Sequence, residues 1–472
     1  MSELALSKPR VAKNALTQVM TLGLETATFG VASVAVARTF GPRGLGAFSP
    51  AWQLAVMLSG VALAGVDQLL IRELNRTGGA RELSQGLGLA SAFGLALGGA
   101  AAITPLVVGA EEQLAGSFAA AGAYIAVSAP ALILRASFHA RERMELETGT
   151  IAAESVVGLA LIPVALALDA GPAGVIGALV IGRLTGLVVS IALTRRLWPG
   201  TKLRFRPSAW RAILHSSLPL GIAFLFTSMV LRFDIVIVGA LRSAREAGLY
   251  AAASVATLAI PMAVSSLNRS LYPVLSRADD LAHPELGRVF RDTWRVHVHL
   301  GLGIAAGLTV VAAPGLELVY GGGFDRSAGF LAVLAWLLPV RFLNSLCSAT
   351  LNATSWRRRE AAFLTATVVI NISAMLVLVP MLGAWGAIAA AAGTETGLLL
   401  VFVFALRELR PPLVRSLGEG ALIAAAVGAT SLATPGHVLV RTAAGTVVFA
   451  ALFVTLRTTV LRHPRTLSSS TR

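Results

Sequence analysis

The sequence holds a single cysteine, Cys347, among 472 residues. That excludes an internal disulfide and any cysteine-based metal cluster, and it leaves Cys347 to pack as a small apolar residue. The seven histidines show no metal-ligand spacing, so no metal or other cofactor is expected. Charge is scarce as well. Only 13% of the residues are charged, against about 25% in a soluble globular protein. Long polar stretches are missing, which leaves no room for a sizeable soluble domain. Gly321–Gly323 form a GGG with no Walker lysine and no strand-helix pattern after it, so nucleotide binding is not expected. The net charge of +15 does not point to nucleic acid, because the basic residues are short clusters between apolar runs.

What the chain has in quantity is apolar sequence. Hydrophobic residues make up 56% of it, and the mean hydropathy is +0.75. Apolar runs of roughly 18–25 residues recur from end to end, the signature of membrane-spanning helices. The spacing predicts spans at 15–37, 46–70, 84–109, 114–138, 150–168, 172–194, 213–240, 247–276, 296–319, 328–352, 361–381, 384–406, 418–434 and 437–457. The expected fold is therefore an all-α polytopic membrane protein with about fourteen transmembrane helices. The opening residues lack a short apolar core with a cleavage site and read as a cytoplasmic lead-in.

Charge asymmetry orients the spans. With the N-terminus in the cytoplasm, the inside segments collect most of the arginines and lysines, including Arg195–Arg211 and Arg357–Arg359. The outside loops carry only Arg38, Arg43, Arg242, Arg245, Arg326 and Arg441. The separation persists to the end of the chain, which places both termini inside. The outside loops are short. Membrane glycosyltransferases, polymerases and ligases usually need a substantial one, so an enzyme is not expected.

An internal repeat suggests how the spans are grouped. VARTFGPRGLGAFSPA from Val36 aligns with VGALRSAREAGLYAAA from Val238 at an offset of 202, pairing Gly46 with Gly248 and Phe48 with Tyr250. AGPAGVIGALVIGRLTG from Ala170 aligns with LGAWGAIAAAAGTETG from Leu382 at an offset of 212. Blocks of six helices repeat in the same orientation, so two parallel six-helix repeats around a central cavity are expected, followed by two extra helices. The expected divisions are 1–196 (first bundle), 197–212 (basic cytoplasmic linker), 213–408 (second bundle) and 409–472 (two helices and a basic tail).

Val36–Leu74 resembles the opening of polysaccharide-biosynthesis membrane proteins, with an arginine, a Gly-Pro and a Gly-aromatic joining the first two helices. Asp234–Arg277 resembles helices 7 and 8 of the same family, in Asp234, Gly248–Tyr250 and Tyr272–Pro273. Leu378–Ala390 is similar to its helix 11–12 turn. The resemblance implies the polysaccharide flippase branch of the multidrug/oligosaccharidyl-lipid/polysaccharide exporter superfamily. It implies movement of an undecaprenyl-linked glycan across the bacterial inner membrane by alternating access. It leaves open whether the step is coupled to H+ or Na+. A multidrug or organic-cation antiporter of the same superfamily is the alternative transporter. A transport-inactive scaffold in a polysaccharide assembly complex is the alternative from another class. Expected partners are the lipid-linked glycan and membrane lipids, with a polysaccharide polymerase and glycosyltransferases as further candidates; nucleic acid is not one.

Charges inside spans carry the functional expectation, since each costs about 2.5–3.5 kcal/mol at a helix centre. Arg183, Arg232, Arg269 and Arg341 are the candidate headgroup and cavity residues. A guanidinium binds phosphate oxygens in pairs and keeps its charge. Glu25, Asp234 and Glu395 are the candidates for ion coupling. A competing reading pairs each arginine with an acid to lock two helices, as Glu25–Arg183 or Arg341–Glu395. Arg135, Asp67 and Glu154 lie near inner span ends, within reach of headgroups. Arg232 and Asp234 are two residues apart and project to different helix faces, so they are not expected to pair with each other.

Overall fold

The computed structural model describes residues 8–77, 80–108, 112–200, 207–275, 284–354 and 356–461. Among them every regular element is helical. The chain divides into two compact units, Met1–Gly248 and Leu249–Arg472.

The first unit contains α1 (Lys8–Val61), α2 (Val66–Thr77), α3 (Ala80–Val108), α4 (Glu112–Ala140), α5 (Met144–Ala167), α6 (Gly171–Leu197) and α7 (Pro207–Leu241), and it ends in the first turn of α8 (Ala244–Leu275). The first two expected spans are one long element broken at Gly41, whose φ of 63° and ψ of −162° are non-helical. A side chain rarely adopts that φ, and the following Pro42 has no N–H to continue the ladder. The second expected span, 46–70, is interrupted as well. Its helix stops at Val61, and a turn with Ala64 and Gly65 at positive φ leads into α2.

Small residues let these helices approach closely. A Cβ on Gly98 would strike the carbonyl oxygen of Gly122, and one on Gly122 would strike the carbonyl oxygen of Gly98, so α3 and α4 touch backbone to backbone. Gly182 of α6 lies on the backbone of α5 at Glu154 and Gly158 in the same way. A core of Leu63, Leu70, Leu83, Leu89, Ile133 and Trp198 closes one end of the unit.

The second unit comprises the rest of α8, then α9 (Pro284–Tyr320), α10 (Asp325–Ala335), α11 (Leu338–Ala353), α12 (Arg357–Leu382), α13 (Ala384–Ala405), α14 (Leu413–Ala433) and α15 (Val438–Leu461). The expected span 328–352 is split into α10 and α11 just before Pro339, which cannot donate to the preceding turn. Phe290, Trp294, Leu346, Cys347, Phe402 and Leu406 form its core. Cys347 is fully buried there, packed as an apolar residue. The last two helices rest on α9 through Ala306, Ile423, Val427 and Phe449.

Among the described residues, eleven helical segments are long and apolar enough to cross a membrane. The expected spans 213–240 and 247–276 fall on the long helices α7 and α8. Large apolar residues such as Leu95, Val156, Val188, Ile370 and Leu400 are exposed along these helices. A soluble protein would bury them, whereas hydrocarbon is their natural surrounding.

Candidate functional site

The polar interior of the first unit is built from four helices. Tyr124 and Arg135 are eleven residues apart on α4, three turns along one face. Glu154 on α5 and Arg183 on α6 meet them. The Arg183 Nη1 donates to Glu154 Oε2 at 3.0 Å, and its Nη2 donates to the Tyr124 hydroxyl at 2.5 Å. The same guanidinium lies 4.8 Å from the Tyr124 ring centroid, a cation–π contact strengthened by burial. Arg135 Nη2 donates to the same Glu154 oxygen at 2.5 Å. One carboxylate therefore holds two guanidinium groups. Arg135 is 1% exposed and Arg183 is 7% exposed. Gly186 of α6 makes room for them: a Cβ there would lie 2.9 Å from Glu154 Oε2 and 3.0 Å from Arg135 Nη2.

The network is not saturated. Arg135 Nε and Nη1 and Arg183 Nε are buried without a hydrogen-bond partner among the described residues. Buried N–H groups of a cation left unpaired are costly, so this interior attracts negative charge. Glu25 on α1 is exposed and lies within electrostatic reach of Arg183, Arg135 and Arg232. It forms no ion pair among the described residues. An aromatic row on α1, Phe29, Phe48 and Trp52, continues to Tyr124, whose ring is 4.8 Å from that of Trp52.

Arg232 and Asp234 turn to different neighbours. Arg232 Nη1 donates to Oε1 of the buried Gln53 on α1 at 2.6 Å. Asp234 Oδ1 accepts the Ile235 backbone N–H at 2.8 Å. Gln53 is a neutral partner, so the Arg232 charge is oriented but not cancelled.

The second unit holds a separate pair. Arg341 Nε on α11 donates to Glu395 Oε1 on α13 at 2.8 Å. Asn344 Nδ2, one turn along α11, donates to the Glu395 backbone oxygen at 3.0 Å. Asn371 of α12 donates to the Thr394 hydroxyl at 2.8 Å. Glu419 Oε1 of α14 accepts from Arg415 Nε at 2.8 Å and from Arg295 Nη2 at 3.4 Å, tying α14 to α9. Arg269 lies on α8, and its side chain falls outside the described residues. Among the described residues no cluster of His, Cys, Asp or Glu is gathered to hold a metal ion.

Sequence reasoning anticipated the Arg341–Glu395 pair but not the partner of Arg183, which is Glu154 rather than Glu25. It also set Arg135 and Glu154 near the headgroups. They are instead turned inward and joined, because a carboxylate on the next helix is a closer partner than the interface. Tyr124 and Gln53 were missed. The three-turn spacing of Tyr124 and Arg135 was the available signal.

The profile of a family described as "Polysaccharide biosynthesis protein" matches residues 12–279. No curated protein matches the sequence. Among solved structures, the chain is similar to the lipid II flippase MurJ in an inward closed conformation, at 14% identity, with a TM-score of 0.77 over 95% of this chain and 100% of that one. It is also similar to an inward-facing multidrug resistance MATE family transporter of the MOP superfamily, at 14% identity and TM-score 0.58, covering 83% of this chain and 98% of that one. A MOP superfamily transporter from Pyrococcus furiosus, characterised by reverse polarity of its binding pocket, matches at 13% identity and TM-score 0.50 over 85% and 96%. At these identities the likeness is one of fold.

Proposed function

Because the chain belongs to the family of polysaccharide biosynthesis proteins, we propose that it is an integral membrane flippase for a lipid-linked glycan. It takes an undecaprenyl-type oligosaccharide or polysaccharide precursor from the cytoplasmic to the outer leaflet of a bacterial inner membrane by alternating access. Both termini stay in the cytoplasm. The lipid-linked cargo named for MurJ, whose fold the chain shares, supports that choice.

The observation that carries the reading is the guanidinium-rich interior of the first unit. The polar end of the cargo is a phosphate or pyrophosphate with a glycan. It needs a wet, basic surface, while its lipid tail stays in hydrocarbon. Arg232 is the group best suited to the phosphate, since its partner Gln53 is neutral and its charge remains available. Arg183, anchored on Glu154 and Tyr124, holds positive potential behind it. Arg341 and Arg269 are the proposed cargo residues of the second unit taken by itself. A cation exporter would favour acids over arginines in its interior, whereas here Glu154 and Glu395 are each tied to arginine and Glu25 lies among the arginines of the first unit.

Glu25 is the coupling residue of this scheme, accepting H+ or Na+ where the arginines of the unit feel its charge; Asp234 and Glu395 assist. A polymerase and glycosyltransferases would supply and consume the cargo. Reconstitution of the full chain with a defined lipid-linked sugar, with and without an ion gradient, tests the function. Sugar should become accessible in the opposite leaflet with wild-type protein and much less so with Arg232→Ala. Equal movement in protein-free vesicles, or no movement of any lipid-linked sugar, sinks the proposal.

A further inference from the structure

The hairpin of α12 and α13 carries an apolar groove of about 470 Å³. Phe363, Ile370 and Leu378 line it on α12; Ala389, Gly393 and Gly397 line it on α13. At 1.5 Å per residue, the stretch from Phe363 to Leu378 is about 22 Å long. That exceeds one leaflet of a hydrocarbon core about 30 Å thick. The two threonines in its wall are satisfied within their own helices, Thr367 by the Phe363 carbonyl at 2.9 Å and Thr394 by that of Ala390 at 2.7 Å. The groove therefore offers an apolar lining. A Cβ on Gly393 or Gly397 would meet nothing within 4 Å among the described residues, so no other helix of the second unit presses on this wall there.

One end of the groove is basic. Arg359 lies one turn before Phe363 on the same face of α12, exposed, with its guanidinium 4.3 Å from the Trp356 ring centroid. Phe363 faces Phe402 across the hairpin, ring centroids 6.3 Å apart, so the C-terminal end of α13 comes to the same place. There the exposed Arg407 sits 4.7 Å from the Phe404 ring centroid. Arg358 is exposed on the same turn as Arg359, and the acid Glu408 beside Arg407 is exposed too. The acid closest in sequence, Glu360, is turned inward, buried and hydrogen-bonded by Ser348 at 2.5 Å. It does not neutralise Arg359.

We propose that this groove binds an anionic glycerophospholipid, its phosphate at Arg359 and Arg407 and one acyl chain between α12 and α13. The aromatic seats hold both guanidiniums at headgroup level. A zwitterionic lipid would bring its own positive charge to the same arginines and bind less well. The groove lies wholly on α12 and α13 of the second unit and does not depend on what the protein transports.

Native mass spectrometry of the full chain in detergent, offered equal phosphatidylglycerol and phosphatidylcholine, tests the assignment. Phosphatidylglycerol should be retained preferentially. Arg359→Ala and Arg407→Ala should each reduce that retention about fivefold. Gly393→Phe should abolish retention of both lipids without lowering the melting temperature, because the new ring enters open space. Equal retention of the two lipids by wild type, or undiminished retention in Gly393→Phe, overturns the proposal. Disulfide-linked dimers of Gly393→Cys in native membranes overturn it too, since a second copy would then cover the groove through its small residues. Preferential capture of a polyprenyl phosphate would be equally fatal.

Discussion

Gly46 and Gly248, repeat-equivalent in sequence, pack directly on each other in the structure. A Cβ on Gly46 would lie 2.8 Å from the Gly248 nitrogen, and a Cβ on Gly248 would lie 2.7 Å from the Gly46 nitrogen. Each would also strike a carbonyl oxygen, of Ala244 and Pro42 respectively. Neither glycine has positive φ, so the demand is for close approach and not for unusual backbone. Gly46→Leu and Gly248→Leu should each destabilise the protein by about 1–3 kcal/mol through overpacking. Gly99→Leu, whose Cβ meets nothing within 4 Å, is the control. Thermal unfolding in detergent reads the difference, and equal melting of all three variants would refute the tight contact.

Glu154 is the common partner of Arg135 and Arg183. Replacing it by glutamine leaves two buried guanidiniums with no carboxylate partner among the described residues. Glu154→Gln should cost about 3–5 kcal/mol, more than Arg183→Met, which leaves Arg135 still paired. Membrane insertion and melting of the two variants check the order. A smaller loss in Glu154→Gln would mean that another acid takes over.

Gln53→Glu places a carboxylate against the Arg232 guanidinium, which now holds the amide oxygen at 2.6 Å. If Arg232 serves the cargo phosphate, that change should impair transport about as much as Arg232→Ala. The expected loss is about 1.5–3 kcal/mol of cargo binding, roughly tenfold or more. Vesicle transport and melting are measured side by side. Normal transport in Gln53→Glu would take Arg232 out of the cargo path.

Glu25 is the exposed acid facing the buried arginines. Glu25→Gln should remove the response of transport to an imposed H+ or Na+ gradient, while Glu25→Asp should keep part of it. Flux with and without the gradient is the readout. A full gradient response in the glutamine variant would exclude Glu25 as the coupling group.

Arg341 and Glu395 are paired at 2.8 Å but partly exposed, at 19% and 25% of their side chains. With its open side on the wet cavity of the proposed function, where water screens it, this pair should give a smaller coupling energy in a double-mutant cycle on stability than Arg183–Glu154. Coupling as large as that of the buried pair would contradict the exposure.

The helices were legible in the sequence because the bilayer reads hydropathy locally. A run such as 172–194 must bury its backbone in a helix wherever it sits in the fold. The family was legible for a similar reason, since Gly41–Pro42 answers to backbone geometry at a fixed break and Gly248 to a close helix approach. Even the Arg341–Glu395 pair was visible as two costly charges in predicted spans. The partners in the first unit were not. Whether Arg183 meets Glu25 or Glu154 depends on which face of α5 packs on α6, and that is set by Gly158, Gly182 and Gly186 bringing the backbones together. Arg135 was within snorkelling distance of the headgroups by sequence position alone. Only the tertiary structure, by putting Glu154 beside it, made the interior the lower-energy place for its charge.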